Sequence, residues 1–559
     1  MANYPDVDLP VGDDLIDIVK LNNKFDSAKD AKKHKVTRWR RNEELYSGQI
    51  LKPFNLPKYK SRIEPNFIHS ILETIYSILT DRNPKVDVMP KREDQVDSAR
   101  IAQEAIENEM ANAKANRAVA NMKRDGLLYG NGFLKVSIEE GVINYSVPDP
   151  YTVFIDPLAT SIEDAKCVIF ATPQYVSDIK AQYGKKVPAE GALNEYKSFV
   201  KDTQKYATDR VNFGDLEAKG PQENMNDNDY GGGQALVKEA WYWENDRLML
   251  ATWSGKTLLQ KTEAPYDFIP LVCFQNYQDA HSIWGKGEPE IIESLAVGTS
   301  ISLSQAMDNL IYHGNPAVVM SKSMAKTAGN RPTDKPGQVY YTGGPHESVT
   351  RLPAGNISAS SLPLAESMMK MTDIVSGVHD ITQGRNPSGV TASRAIQQLQ
   401  EASQQIIRTK EREVGQDAII SMYRLTLNLL VNNYEQPINV RRITETGYEF
   451  EQVNPYDLSQ DLDFKYIPGS SMPESRANRF DQALDLVQLG LLDQEKFWRW
   501  TQKDISKEIL EEMLEQKKQQ QEALQQQQQI METSTDEDEI MNAQLAMREL
   551  MGMNDEQPA

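Results

Sequence analysis

The sequence predicts an α+β chain, with helices and short strands mixed in its first half and long helices around a small strand-bearing insert in its second. Three observations predict this. Apolar residues recur at helical spacing over long stretches, the longest from about Thr391 to Asn433. VKEAWYWEN, DRLMLATW and KTLLQ alternate apolar and polar residues and are separated by the turn signals END and SG, the pattern of an antiparallel meander. Two helical runs also flank the compact insert from Pro316 to about Pro363.

The 559 residues exceed what one core usually serves, so two to four domains are expected. Hydrophobic content of 39% and charged content of 25% make an ordinary globular mixture. The formal net charge of -20 opposes any general coating of nucleic acid, so contact with DNA has to be local or weak. Cys167 and Cys273 sit in apolar, strand-like runs, which favours a reducing compartment over a disulfide framework. MANYPDVDLPVGDD lacks the basic start and apolar run of a secretory signal, and no stretch approaches the roughly 18 apolar residues of a membrane span. These features point to the cytosol, or to assembly in one.

Along the chain, residues 29–62 carry eleven Lys or Arg against three Asp or Glu. They read as a solvated helix with aromatic anchors or as a patch touching acidic neighbours. Ile68, Ile71, Leu72, Ile75, Ile78 and Leu79 share one helical face, Asn83-Pro84 stops that helix, and KVDVMP follows as a strand. Asp97 to Leu128 is again helical and ends in the turn YGNG, after which FLKVSIEEGVINYSVPDPYTVFIDP reads as short strands. The polar, Gly/Asn/Asp-rich residues 205–235 read as a partly disordered surface loop before the meander.

From Trp284 the texture turns helical. Ile291, Ile292, Leu295, Ile301, Met307, Leu310 and Ile311 fall at near-helical spacing. Glu288 and Glu290 suit a helix N-terminus, Pro289 suits its first turn, and Gly314 and Pro316 end it. In the insert, AVVMSKSMA, GQVYYTGG and SVTRLP look like short strands, and Lys322, Lys326, Arg331 and Lys335 make it locally basic. LPLAESMMKMTDIVSGV leads back as a second helix, giving an antiparallel pair with a tip module. The polar loop that follows is rich in Gly, Pro and Asn and opens directly into the long helix. That helix spans roughly 60 Å. Its high Gln and Arg content calls for neighbours on several sides, more than one monomeric core supplies. Residues 438–467 read as short strands and 474–516 as helical. QKKQQQEALQQQQQI at 516–530 is low-complexity, either a helix within an assembly or a loose tail. Residues 510–559 hold twelve acids and three bases.

Motifs for catalysis are weak. SGKT at 254–257 resembles a phosphate loop, but the required upstream glycine position is Leu250 and the segment lies in the meander. GNG at 130–132 lacks a third glycine and leads into a strand. There is no HExxH or GxSxG, and the six histidines have no ligand spacing.

The order of features carries more than any one motif. WRRNEELYSGQ, PNFIHSILETIYSILTDRNPKV, LLYGNGFLKV, VPDPYTVFIDPLAT, VKEAWYWEN and GKGEPEIIESLAVGTSISLSQAMDNLIYHGNPAVVM, then a loop and a long helix, together resemble the portal proteins of tailed bacteriophages over roughly residues 36 to 500. The resemblance implies an N-terminal segment and wing at 1–283, stem helices at 284–314 and 361–379 and a clip at 315–360. It further implies a tunnel loop at 380–392, the long helix with wing completion at 393–470, a crown at 471–516 and a Gln-rich acidic tail or barrel extension at 517–559. It implies a homo-oligomeric ring of about twelve subunits. That ring would sit at a single capsid vertex of the virion, assembled in the host cytoplasm, and act as the channel for terminase-driven packaging, DNA retention, tail attachment and genome ejection.

The implied partners are double-stranded DNA read without regard to sequence, the terminase large subunit, the major capsid or scaffold protein and a head–tail adaptor. No membrane, cofactor or metal is implied. On this reading Gln383, Gly384, Arg385, Asn386, Pro387, Ser388 and Gly389 project into the channel, where single phosphate contacts suit a conduit that passes any sequence. Lys322, Lys326, Arg331 and Lys335 are the candidates for docking the terminase or adaptor. Two alternatives stand beside this one. Another connector or scaffold-type structural protein leaves the α/β wing and the tip insert unexplained. An enzyme with a catalytic loop at 380–392 would rest on His379, Asp380 and Arg385 alone.

Overall fold

The chain divides into a unit of Met1–Met472 and a unit of Pro473–Ala559, the latter outside the described residues. The computed structural model describes residues 13–57, 59–81, 85–139, 141–188, 234–314, 318–319, 350–351, 361–378, 405–433, 437–444, 447–454, 458 and 461–467.

Helix α1 (Asp13–Tyr46) runs for 34 residues. Ile18, Leu21, Phe25 and Ala28 recur every three or four residues and are buried. They pack on an antiparallel sheet ordered β4-β5-β6-β7-β8, made of β4 (Val153–Ile155), β5 (Cys167–Tyr175), β6 (Gln234–Glu244), β7 (Arg247–Ser254) and β8 (Thr257–Glu263). The predicted meander is its β6–β8 part. Asn245 and Asp246 join β6 to β7 with φ of 53° and 60°, the two-residue mirror-image turn that Asn and Asp tolerate. Gly255, at φ 57°, turns β7 into β8, so SGKT is a hairpin tip.

The basic stretch of α1 bears out each reading in part, with Arg41 on the acidic neighbour Glu293 and Trp39 as an aromatic anchor, but two of its lysines depart from both. Lys32 is buried, and its Nζ donates to the carbonyls of Pro150, Tyr151 and Val153 at 2.6, 2.9 and 2.6 Å. Lys35, also buried, donates to the carbonyls of Trp284 and Gly285 at 3.0 and 3.2 Å. Arg41 Nε donates to Glu293 at 2.7 Å and its Nη2 to the Ile50 carbonyl at 2.8 Å. Long aliphatic stems cross apolar surface and their cationic ends are satisfied by main-chain carbonyls. Lys33 and Arg38 do face solvent. Trp39, fully buried, meets Tyr129, Tyr151 and Trp284 edge-on at centroid distances of 5.9, 5.3 and 5.4 Å.

Helix α2 (Phe67–Leu79) buries the six apolar residues its periodicity marks, and Asn66 Oδ1 caps it by accepting from His69 N at 3.2 Å. The stretch expected as one helix from Asp97 to Leu128 is two, α3 (Val96–Asn112) and α4 (Ala115–Tyr129). Lys114 between them is left-handed at φ 54°, which ends one helix and redirects the next. Helix α4 stops at Gly130 (φ 94°), and β2 (Asn131–Glu139) starts beneath it. A Cβ on Gly132 would lie 1.9 Å from Met122 O, so only glycine permits that approach. Strand β2 lies between β3 (Val142–Ser146) and β9 (Leu271–Gln275). β1 (Val86–Pro90) pairs antiparallel with β16 (Leu462–Tyr466). Helix α5 (Val176–Tyr183) follows β5, and β10 (Tyr277–Asp279) pairs with β11 (Ser282–Lys286).

Helix α6 (Glu288–Gly314) and helix α7 (Ser361–Ser376) pack together, with β12 (Val318–Val319) paired antiparallel to β13 (Thr350–Arg351) between them in sequence. Gln405–Glu413, Val414–Ile419 and Ile420–Asn433 run on as one helix, α8, the described part of the predicted long helix. Its middle segment is a π-helical widening where Gly415 lies under the Tyr466 ring; a Cβ there would be 2.3 Å from a ring atom. Val414, Ala418, Ile419, Met422, Leu429 and Leu430 are buried against β2, β9, α3 and β16 of the same chain. Over 405–433 the helix therefore has neighbours on several sides within its own subunit. The strands expected at 438–467 are β14 (Ile438–Thr444), β15 (Gly447–Val453) and β16. Residues 391–404, 474–516 and 516–530 lie outside the described residues, as does the expected loop at 205–235 up to the start of β6.

Candidate functional site

From Thr299 onward, α6 is inverted relative to an ordinary surface helix. Thr299, Ser300, Ser302, Ser304 and Asp308 are buried, while Ile301, Met307, Leu310 and Ile311 are exposed. Part of the inward polar face has partners: Ser304 Oγ accepts from Ile63 N at 3.0 Å, Asp308 Oδ1 accepts from Ser61 N at 2.8 Å, and Asp308 Oδ2 pairs with Lys60 Nζ at 3.4 Å, while the buried Ser300 Oγ has none among the described residues. Helix α7 repeats the pattern. Ala365, Thr372 and Ser376 are buried, and Leu362, Leu364, Met371, Ile374 and Val375 are exposed. Small residues let the two backbones approach, and a Cβ on Gly298 would lie 2.8 Å from Met368 Sδ. Leu310 and Ile374 are 57% and 66% exposed. A pair of helices with polar residues inside and apolar residues outside presents an association surface.

The root of the pair is conventional and apolar. Ile292 and Ala296 of α6, Val378 and Ile407 join the apolar face of α2 in one cluster. Gly377, at φ 69°, lies against Ile406; a Cβ there would be 2.8 Å from Ile406 Cδ1. The chain thus leaves this point after residue 378 and is back beside it by residue 405. The β12–β13 ladder draws together the chain on either side of residues 320–349 in the same way.

A buried polar node sits at that root. Lys410 Nζ donates to Glu288 Oε1 at 2.5 Å and to Asn276 Oδ1 at 2.9 Å, and lies 3.6 Å from the centroid of the Tyr277 ring. Asn276 Nδ2 and the Tyr277 hydroxyl donate to the two Glu288 oxygens at 3.0 and 3.3 Å. On the neighbouring position, Glu411 accepts from the Tyr466 hydroxyl. Lys123 donates to the Leu79 carbonyl at 2.6 Å, and burial pulls its pKa down to about 8 against the opposing charge of Glu411. Beneath α1, Glu43 Oε1 accepts from the hydroxyls of Tyr129 and Tyr151 at 2.9 and 3.0 Å. Burial raises Glu43 to about 7, and burial with the Asp149 charge raises Asp125 to about 7.

The predicted site residues 383–389, with Lys322, Lys326, Arg331 and Lys335, lie outside the described residues, within the two segments whose ends are placed above. Sequence reasoning missed the node. Glu288 was legible only as a helix N-terminal acid, which it is, and Lys410 was one charge among several in RTKEREV. No local signal marks either as buried. Among the described residues, no group of three or more His, Cys, Asp or Glu is placed to hold a metal ion, and no helix is long and apolar enough to cross a membrane.

A family model described as phage SU10 portal protein matches residues 139–547, well over half of the chain. Comparison with curated proteins gives no match.

Proposed function

The chain belongs to the phage SU10 portal protein family, and on that premise we propose that it assembles as a ring at a single capsid vertex, where it is the channel for DNA. The ring has about twelve subunits, closed by heterologous contacts between copies. Through it a terminase packages the genome, which is retained, and which leaves by the same route once a head–tail adaptor is attached. Helices α6 and α7 are the stem, the segment between them is the clip, and residues 380–392 are the tunnel loop that meets passing phosphates without reading sequence.

The observation that carries this reading is the inside-out character of α6 and α7. Copies arranged around an axis bury the outward Ile, Leu and Met side chains against one another, which an isolated subunit leaves in water. The closed root at Gly377 and Ile406 supports the loop assignment, because the chain leaves and re-enters the described fold at one place. The basic clip residues Lys322, Lys326, Arg331 and Lys335 dock the terminase or the adaptor.

The test is the mass of the purified full chain in solution together with electron-microscopic class averages down the symmetry axis. Rings with a central hole wide enough for duplex DNA are expected, in the free chain or on co-expression with capsid and scaffold proteins. A persistent monomer under both conditions overturns the proposal.

A further inference from the structure

We infer that Lys410 and Glu288 form a positioning joint that fixes how the limb returning from residues 379–404 seats on the stem. The inference rests on the portal reading and deepens it. Both side chains are almost wholly removed from water, at 4% and 1% exposure. Burying a charge pair gains little, because desolvation offsets most of the Coulomb attraction, and an apolar pair of similar volume is often as stable. What such a pair supplies is register. The Lys410 ammonium has three directions to fill and finds three partners: Glu288 Oε1, Asn276 Oδ1 and the face of Tyr277. A slip of α8 by one residue would leave a bare charge in the core.

The location gives that register a use. Glu288 is the first residue of α6. Lys410 is one helical turn beyond Ile406, whose side chain rests on Gly377 at the end of the stem's second helix. Motion of the returning limb relative to the stem therefore has to move Lys410 against Glu288. The next position points elsewhere, since Glu411 takes the hydroxyl of Tyr466 on β16, and the π-helical widening that starts three residues later fits around the same ring. Adjacent residues of α8 thus tie one limb to the stem and to the wing sheet at once.

The experiment uses the full chain carrying Lys410→Met with Glu288→Gln, so that no lone charge is left buried, and Tyr277→Phe as a milder variant that removes only the 3.3 Å hydrogen bond. Three quantities are measured: melting temperature, particle mass, and the DNA-filled fraction of heads assembled in cells where the variant is the sole copy of this chain. The double variant is expected to keep the parental melting temperature and ring mass while the filled fraction falls about ten-fold, the scale of a lost coupling between elements. Tyr277→Phe is expected to lower it by a smaller factor. Parental filling by the double variant overturns the joint. If the double variant does not fold, Tyr277→Phe decides, and parental filling by it has the same meaning. Failure of the unmodified chain to form rings removes the portal reading and the joint with it, an outcome the mass alone identifies.

Discussion

Replacing Ile374 and Leu310 together by glutamine should dissolve the ring while leaving the subunit folded. Glutamine is a good helix former, so α6 and α7 persist. Ile374 is 66% exposed and Leu310 57% exposed in the subunit. Fully burying such a side chain is worth about 1.5–3 kcal/mol, so covering those fractions in a ring yields about 1–2 kcal/mol each and roughly 2–4 kcal/mol per subunit contact. At about 1.4 kcal/mol per factor of ten, each contact weakens by roughly 30- to 700-fold. Sedimentation or mass photometry at sub-micromolar concentration should show subunits where the parent shows rings. The far-ultraviolet melt of the dissociated variant should match that of parental subunits, because neither side chain contributes to the subunit core. Rings of parental mass at the same concentration would refute the reasoning, since the outward apolar faces would then not be what copies share. A variant that unfolds at lower temperature as a monomer would refute it differently, by placing those side chains in the core.

Three further outcomes are expected. The combined contribution of Glu43, Asp125 and Lys123 to subunit stability should pass through a minimum near pH 7–8. The folded state holds protons on Glu43 and Asp125 up to about 7 that unfolded carboxylates release earlier, so stability falls as pH rises from the ordinary carboxylate range through 7. Folded Lys123, with its pKa at about 8, gives up a proton that the unfolded chain keeps, so stability recovers above that. Thermal melts from pH 5 to 10 check both limbs, and Glu43→Gln should flatten the acidic one. Gly132→Ala should cost more than about 3 kcal/mol or give insoluble protein, because the new methyl collides with the Met122 carbonyl rather than with a movable side chain; a soluble variant with parental melting would contradict the close approach of α4 and β2. Deleting residues 384–389 should leave ring mass unchanged and reduce packaged DNA, read by particle mass and encapsidated DNA per head; loss of rings would assign that loop to a subunit contact instead.

What the sequence made legible follows its physics. The six buried residues of α2 and the hairpins at Asn245-Asp246 and Gly255 were readable because period and turn chemistry are local. The limits of α6 were readable from Pro289 near its start and Gly314 at its end. The inversion of α6 and α7 was not, since periodicity identifies residues that share a face and is silent on which face turns inward. Lys32 and Lys35 were misread for a related reason. Their acceptors are main-chain carbonyls more than a hundred residues away, which no residue type announces. The break at Lys114 had no marker either, because a left-handed lysine looks like any other lysine in a helical run.

The pinched necks at β12–β13 and at Gly377–Ile406 have an evolutionary consequence. The folded body constrains only where the chain departs and where it comes back, and lengthening a span between fixed ends costs little, about 0.6 kcal/mol per doubling for a flexible loop. Sequence change beyond each neck therefore need not disturb the fold that holds its ends. On the portal reading proposed above, a new motor could be met by changing residues 320–349 alone, with no residue of the core obliged to follow.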